Sequence, residues 1–371
     1  MNRIWIPVMI LVLLFTLPLQ KGLAAVDKQP ATESEAAILM DGKSGQVLFE
    51  KNSDKKMFPA SITKILTGII AIEQGELDDK VIVSERARNV DGTRVYLKEG
   101  EEVPLKKLVQ GLLMNSGNDA GIAIAEHLGG SVENFAQVMN TFAEEKAGIE
   151  NSNFKNPHGL FDKDHYVTAR DMAKITQYAM QNETFKEIVG TKELEWKGEE
   201  WETTIINHNR LLWRYDDATG AKTGWVTKSG HTLVGTAERG GMELIAVVLK
   251  AKNAEQSYTE AGTLFDYGFE NYESATIPAG TTYEKDGIEY ELEESLPYTK
   301  KKGTVITEKV TRKGYLLIEA DNGILTTGEL KQVTKASGEP VDQGKDEGVE
   351  DENSSWKDAI FQWFASLFSS K

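Results

Sequence analysis

Phe58-Pro59-Ala60-Ser61-Ile62-Thr63-Lys64 is the stretch from which the rest of this sequence is best read. Residues three apart on an α-helix share a face, so Ser61 and Lys64 are expected to meet in space. Pro59 disfavours helix before it, and Ile62, Ile65, Leu66, Ile69 and Ile70 follow at helical spacing. Ser61 therefore falls at or just before a helix start. Free backbone N–H groups there favour negative charge. A serine attacks only when a neighbouring base takes its proton, and a lysine serves only if burial or another cation lowers its pKa toward neutrality. The stretch thus predicts a second cation nearby. The spacing alone carries little, because Ser53/Lys56 and Ser152/Lys155 repeat it.

A chain of 371 residues has room for two domains and for a core that needs no staples. Its formal net charge of −16 argues against a nucleic-acid partner, which would require clustered Lys and Arg. The lack of cysteine excludes disulfides, thiol catalysis and cysteine metal sites. His127, His158, His165, His208 and His231 are scattered without metal-ligand spacing, so no metal and no other cofactor is expected.

The two ends read differently from the middle. Residues 1–25 form an export signal, with Arg3 ahead of an apolar run from Ile4 to Leu19 and small residues at Gly22-Leu23-Ala24-Ala25. The mature chain is then expected outside the cytoplasmic membrane. Residues 336–355 are polar and acidic, the composition of a disordered linker. In residues 356–371, Trp356, Ala359, Ile360, Trp363, Phe364, Leu367 and Phe368 share one helical face. Such a helix is about 20 Å long, too short to cross a hydrocarbon core of about 30 Å. It is suited to lying on a membrane surface.

Between the ends, residues 36–40 and 46–50 read as strands around an Asp41–Gly45 turn, and the Ser61 helix runs to about Gln74. Helical patterns follow at 105–114, 120–128 and 132–147, and from the Thr168 capping box to about 181. Residues 218–224, 231–237 and 243–249 are three hairpin-linked strands, closed by a helix at 257–269. The fold class expected is α/β, with early and late strands joined in one antiparallel sheet flanked by helices. Residues 26–272 make this domain, and 273–335 a second, small all-β domain.

Lys222-Thr223-Gly224 on the first late strand offers a candidate for the second cation, and Ser116-Gly117-Asn118 sits in a turn between helices. With Ser61/Lys64 ahead of them, these match in order the three motifs of the serine penicillin-recognising enzymes. Met114-Asn115-Ser116-Gly117-Asn118-Asp119-Ala120, Asn156-Pro157-His158-Gly159-Leu160, Thr168-Ala169-Arg170-Asp171-Met172 and Asn209-Arg210-Leu211-Leu212-Trp213 extend the match. Over residues 33–272, and more loosely over 273–335, the sequence resembles the D-alanyl-D-alanine carboxypeptidases among the low-molecular-mass penicillin-binding proteins.

The resemblance implies a β-lactamase/transpeptidase-like fold and a set of roles. Ser61 would attack the carbonyl of a terminal D-Ala-D-Ala bond in a peptidoglycan stem peptide, and Lys64 would take its proton. Lys222 and Asn118 would stand close to Lys64, and Ser116 would relay a proton to the leaving nitrogen. Lys222 and Thr223 would hold the terminal carboxylate, with Gly224 letting the chains approach. The backbone N–H groups of Ser61 and Trp225 would bind the oxyanion. β-Lactam antibiotics would acylate the same serine, and the tail would rest on the outer face of the bacterial cell membrane.

Two departures stand out: Trp225 replaces the histidine of many relatives, and where many carry an arginine before the closing helix this chain has Lys250, Lys252 and Gln256. The competing readings are a β-lactamase, an endopeptidase or a transpeptidase on the same scaffold, and a catalytically silent wall-binding protein.

Overall fold

The computed structural model describes residues 29–333 apart from 322; the export signal, the acidic linker and the amphipathic tail lie outside them. The strand Ala36–Asp41 is buried along its whole length. It pairs antiparallel with Val47–Lys51 on one side and with Met242–Ala251 on the other, so both faces and both edges are covered. A strand in that position reads as an unbroken apolar run rather than an alternating one. Gly230–Arg239 and then Ala218–Val226 extend the sheet to five strands.

Alternation along the strands divides the core in two. Ile38, Val234, Ile245 and Val247 face the helical side, where they meet Ile65, Ile69 and Met172. Leu39, Leu233, Leu244 and Val248 face the closing helix Ala254–Asn271 through Leu264 and Phe265. On the helical side, Lys64–Gln74 is buried from Lys64 to Ala71 and is enclosed by other helices. These are Leu105–Met114, Asn118–Gly129, Val132–Ala147 and Ala169–Ala179. Their ends follow local chemistry: the Thr168 hydroxyl accepts from the Asp171 amide, and Ser131 caps its helix through the Asn134 amide.

Two elements run beyond the sequence reading. A helix spans Glu183–Gly190, and the strands Glu193–Lys197 and Glu202–Ile206 form a hairpin. Glu193, Glu195, Glu199, Glu200 and Glu202 give that hairpin little strand propensity. Tertiary packing overrides it, because Trp196 is fully buried against Gly111.

From Tyr272 onward there is only β structure among the described residues. Tyr272–Ile277 pairs with Leu296–Lys301, and a five-stranded sheet has the order 282–285, 288–292, 323–332, 315–320, 307–310. Its core is its own, built on Ile277, Tyr290, Leu292, Leu316, Ile318 and Leu330. Ser44 Oγ lies 2.7 Å from Thr299 Oγ1, and Ser274 donates to Asp41, so the first hairpin of the α/β unit carries the β unit.

Candidate active site

Ser61 lies in a single 3-10 turn, Ala60–Thr63, that runs directly into the Lys64–Gln74 helix. The turn is held in an uncommon conformation, with Ala60 at φ +52°. Two tertiary contacts fix it. Thr232 Oγ1 donates to Pro59 O at 2.8 Å from the neighbouring strand, and Thr63 Oγ1 lies 3.1 Å from His165 Nε2.

Lys64 has no exposed surface, although it sits one turn from a half-buried Ser61. Its Nζ lies 3.0 Å from Ser61 Oγ, 2.7 Å from Asn118 Oδ1 and 2.8 Å from His158 O. Burial pushes this amine well below its ordinary pKa, and Lys222 pushes it the same way against a smaller opposing pull from Asp119. The second cation asked for by the sequence is therefore present. Lys222 is itself buried and is lowered to about 7 by desolvation.

The Ser116 loop comes from the opposite wall. Ser116 has φ +65° and Asn118 is the first residue of its helix. Asn118 accepts from Lys64 with one side-chain atom and donates to Asp91 O at 2.6 Å with the other, which fixes the orientation of its amide. The third wall is the Lys222 strand, and it comes very close: a Cβ on Gly224 would stand 2.7 Å from the Ser61 backbone nitrogen and 2.5 Å from Thr232 Oγ1. Only glycine fits there.

Together these elements bound a cleft of about 230 Å³. Ser61, Ser116, Thr223, Gly224 and Trp225 line it. Lys64, Asn118 and Lys222 are buried and do not line it. Lys222 instead donates to Thr223 O at 3.1 Å, with its amine buried in the wall rather than presented at the cleft surface. The candidate replacements for the family arginine lie elsewhere. Lys250 pairs with Glu35 at 2.6 Å, Lys252 pairs with Glu33 at 2.9 Å, and Gln256 donates to Glu260.

Several residues at the site escaped the sequence reading. Thr93, His208, His231, Thr232, Ala254, Ser257 and Tyr258 complete the cleft lining. Asp119 is fully buried beneath it and accepts from the amides of Val95, Leu97 and Ala120, at 3.0, 3.1 and 2.9 Å. It thereby holds the segment that carries Thr93, whose carbonyl accepts from the Asn118 amide at 2.7 Å. A carboxylate in the first turn of a helix, directly after Ser116-Gly117-Asn118, was the available signal. Gly159 is the other case. A Cβ there would lie 1.8 Å from Ala60 O, so glycine is what lets the His158 carbonyl reach Lys64.

The family model described as D-alanyl-D-alanine carboxypeptidase matches residues 24–253. The D-alanyl-D-alanine carboxypeptidase DacF of Bacillus subtilis is 32% identical over 324 residues, 85% of this chain and 76% of the relative. The DacA enzyme of Haemophilus influenzae is 34% identical over 274 residues, 70% of this chain and 68% of its own length. Penicillin binding protein 5 from Haemophilus influenzae has a similar structure, with a TM-score of 0.75 at 29% identity, covering 82% of this chain and 97% of that one. Penicillin binding protein 6B from Escherichia coli gives a TM-score of 0.69 at 27% identity, with 81% and 95% covered. The chain belongs to the D-alanyl-D-alanine carboxypeptidase family of serine peptidases.

Proposed function

We propose that this serine D-Ala-D-Ala carboxypeptidase works through an acyl-enzyme on Ser61, with Lys64 as an uncharged base. The observation that carries the reading is the set of partners around Lys64 Nζ. Two of the three, Asn118 Oδ1 and the His158 carbonyl, can only accept. A neutral amine has two N–H donors and one lone pair. Both donors are taken by those oxygens, and the lone pair is left facing Ser61 Oγ at 3.0 Å. The burial and the Lys222 charge that depress Lys64 supply the neutral form this requires.

The substrate is a peptidoglycan stem peptide ending in D-Ala-D-Ala. Its terminal carboxylate meets Thr223, while Lys222 attracts it from behind the wall and is in turn held protonated by it. Ser61 Oγ bonds to the carbonyl carbon as Lys64 takes the hydroxyl proton. The oxyanion is bound by the backbone N–H groups of Ser61 and Trp225, a type of stabilisation worth about 10²–10³ in rate per donor. The peptide C–N bond then breaks, and the proton passes from Lys64 by way of Ser116 to the leaving nitrogen. D-Alanine departs, and water attacks the acyl-enzyme with Lys64 again as base. β-Lactams acylate Ser61 because their ring amide presents the same carbonyl.

The reading extends to the whole chain. Residues 1–25 direct export, 26–272 form the catalytic domain and 273–335 a β domain that spaces it. Residues 336–355 link that domain to a surface-bound helix at 356–371 on the outer face of the cell membrane.

The decisive experiment incubates the mature protein and Ser61→Ala with labelled penicillin and with a D-Ala-D-Ala peptide. The wild type is expected to form a Ser61 adduct and release D-alanine, and the variant to do neither. Release that persists in the variant rejects the mechanism. A chain lacking residues 356–371 should keep soluble-peptide activity and lose liposome binding; unchanged binding rejects the anchor.

A further inference from the structure

In a protein of net charge −16, one pocket runs against the trend. About 300 Å³ in volume, it is lined by Lys55, Lys56, Lys163, Lys228 and Lys250, with Glu35 as the single acid. Glu35 is shared between Lys55 at 2.7 Å and Lys250 at 2.6 Å. Lys56 and Lys228 meet no carboxylate among the described residues, and Lys56 lies instead 4.5 Å above the Tyr166 ring. Lys250 is brought in by an irregularity of the sheet. The register between the Gly230–Arg239 and Met242–Ala251 strands shifts there, and Lys250 takes φ +60°. A bulge of this kind re-aims a side chain, at some cost in backbone strain. Five amines gathered in one concavity repel each other and raise the local concentration of anions.

The pocket is reached from the catalytic cleft along three chains. Phe58 lines it three residues before Ser61. The strand that puts Thr223 and Trp225 in the cleft runs on into the turn that supplies Lys228 and Ser229. The loop whose His158 carbonyl holds Lys64 continues to Phe161, which packs edge-on against Phe58 at 5.0 Å, and then to Lys163. If the leaving D-alanine carboxylate lies at Thr223 and the oxyanion at Trp225, the acyl half of an extended peptide points toward Val226 and this turn. Successive residues of such a peptide advance by about 3.3 Å.

We propose that this lysine pocket is a subsite for the acyl half of the substrate, taking a side-chain carboxylate borne one or two residues before the D-Ala-D-Ala unit. The inference rests on the carboxypeptidase reading above. The occupant is a carboxylate on the peptide itself, because the strand that lines the cleft at Thr223 and Trp225 leads directly into the turn that lines the pocket at Lys228 and Ser229. Its lysines lie outside the machinery that breaks the bond, so the subsite governs substrate choice.

The test uses peptide pairs that end in D-Ala-D-Ala and differ only in a carboxylate or a carboxamide, placed one or two residues before that unit. Wild type is expected to favour the carboxylate in at least one pair by about tenfold in kcat/KM, as suits several partly screened charge contacts. The preference should shrink as NaCl rises from about 0.05 to about 0.5 M. The double variant Lys56→Glu/Lys228→Glu should lose or reverse it while turning over the carboxamide peptides at the wild-type rate, which also reports that it is folded. Equal rates on both members of every pair, or a preference that survives charge reversal, overturns the subsite and leaves the carboxypeptidase reading intact. No D-alanine from any peptide overturns both.

Discussion

The Ser61 and Ser152 regions share a Ser-x-x-Lys spacing and have opposite chemistry. At Ser61 the hydroxyl faces a lysine amine that is fully buried and pinned by two carbonyl oxygens. At Ser152 the hydroxyl donates to Asp171 Oδ2 at 2.6 Å and accepts from the Thr168 amide, while Lys155 is exposed. Ser53 resembles Ser152: its hydroxyl goes to Glu50 at 2.6 Å and Lys56 is exposed. A serine already committed to a carboxylate is a structural clamp. What sets Ser61 apart, and supports the proposed role as nucleophile, is the depth of the amine and the acceptors around it, since the spacing itself is common to all three.

Removing the buried amine breaks the contrast most sharply. Lys64→Met should lower penicillin acylation by about 10⁴-fold or more, the scale seen when one member of a catalytic unit is lost. Lys155→Met and Lys56→Met should each leave acylation within about twofold, as surface changes do. Comparable losses in all three would mean that burial does not distinguish the sites.

A second prediction concerns the cation behind Lys64. Lys222 titrates near 7 when folded and has an ordinary value of 10.5. Between those values the unfolded chain holds a proton that the folded chain has released, so stability rises with pH through that window. Relative to Lys222→Met, the wild type should gain up to about 1.4 kcal/mol per pH unit there, read from urea unfolding at pH 7, 8 and 9. Parallel stability curves for the two proteins would contradict a desolvated Lys222.

The smallest effect belongs to the clamp. Ser152→Ala leaves Asp171 and the Thr168 amide short of a partner and should cost about 1–2 kcal/mol in unfolding free energy. Acylation of Ser61 should be unchanged, and an activity loss without a stability loss would give Ser152 a role this structure does not support.

Much of this architecture is legible locally. The Asp41–Gly45 turn, the Thr168 cap and the three late strands each follow from a few adjacent residues. So does the meeting of Ser61 with Lys64, since both lie on one turn of helix. The Glu193–Lys197 and Glu202–Ile206 hairpin was not legible, because its stability comes from Trp196 packing on a distant helix rather than from its own glutamate-rich sequence. Lys250 illustrates a second kind of blindness. Nothing adjacent to it in the sequence names its partner, which is Glu35 because a left-handed backbone at a register shift aims the side chain there.

The sequence by itself determined which chemistry was available: a serine one helical turn from an amine, a second lysine on a late strand, no cysteine, and the order of the motifs. Only the tertiary structure decided that Lys64 is enclosed, by contacts reaching 54 residues to Asn118 and 94 to His158. It also put Lys222 behind the wall and Gly224 against the Ser61 amide. The physical reason is that a pKa depends on desolvation and on charges a few ångströms away. Those surroundings are assembled from chain segments that no local pattern relates, so the composition of the Ser61 turn cannot fix the state of its own lysine.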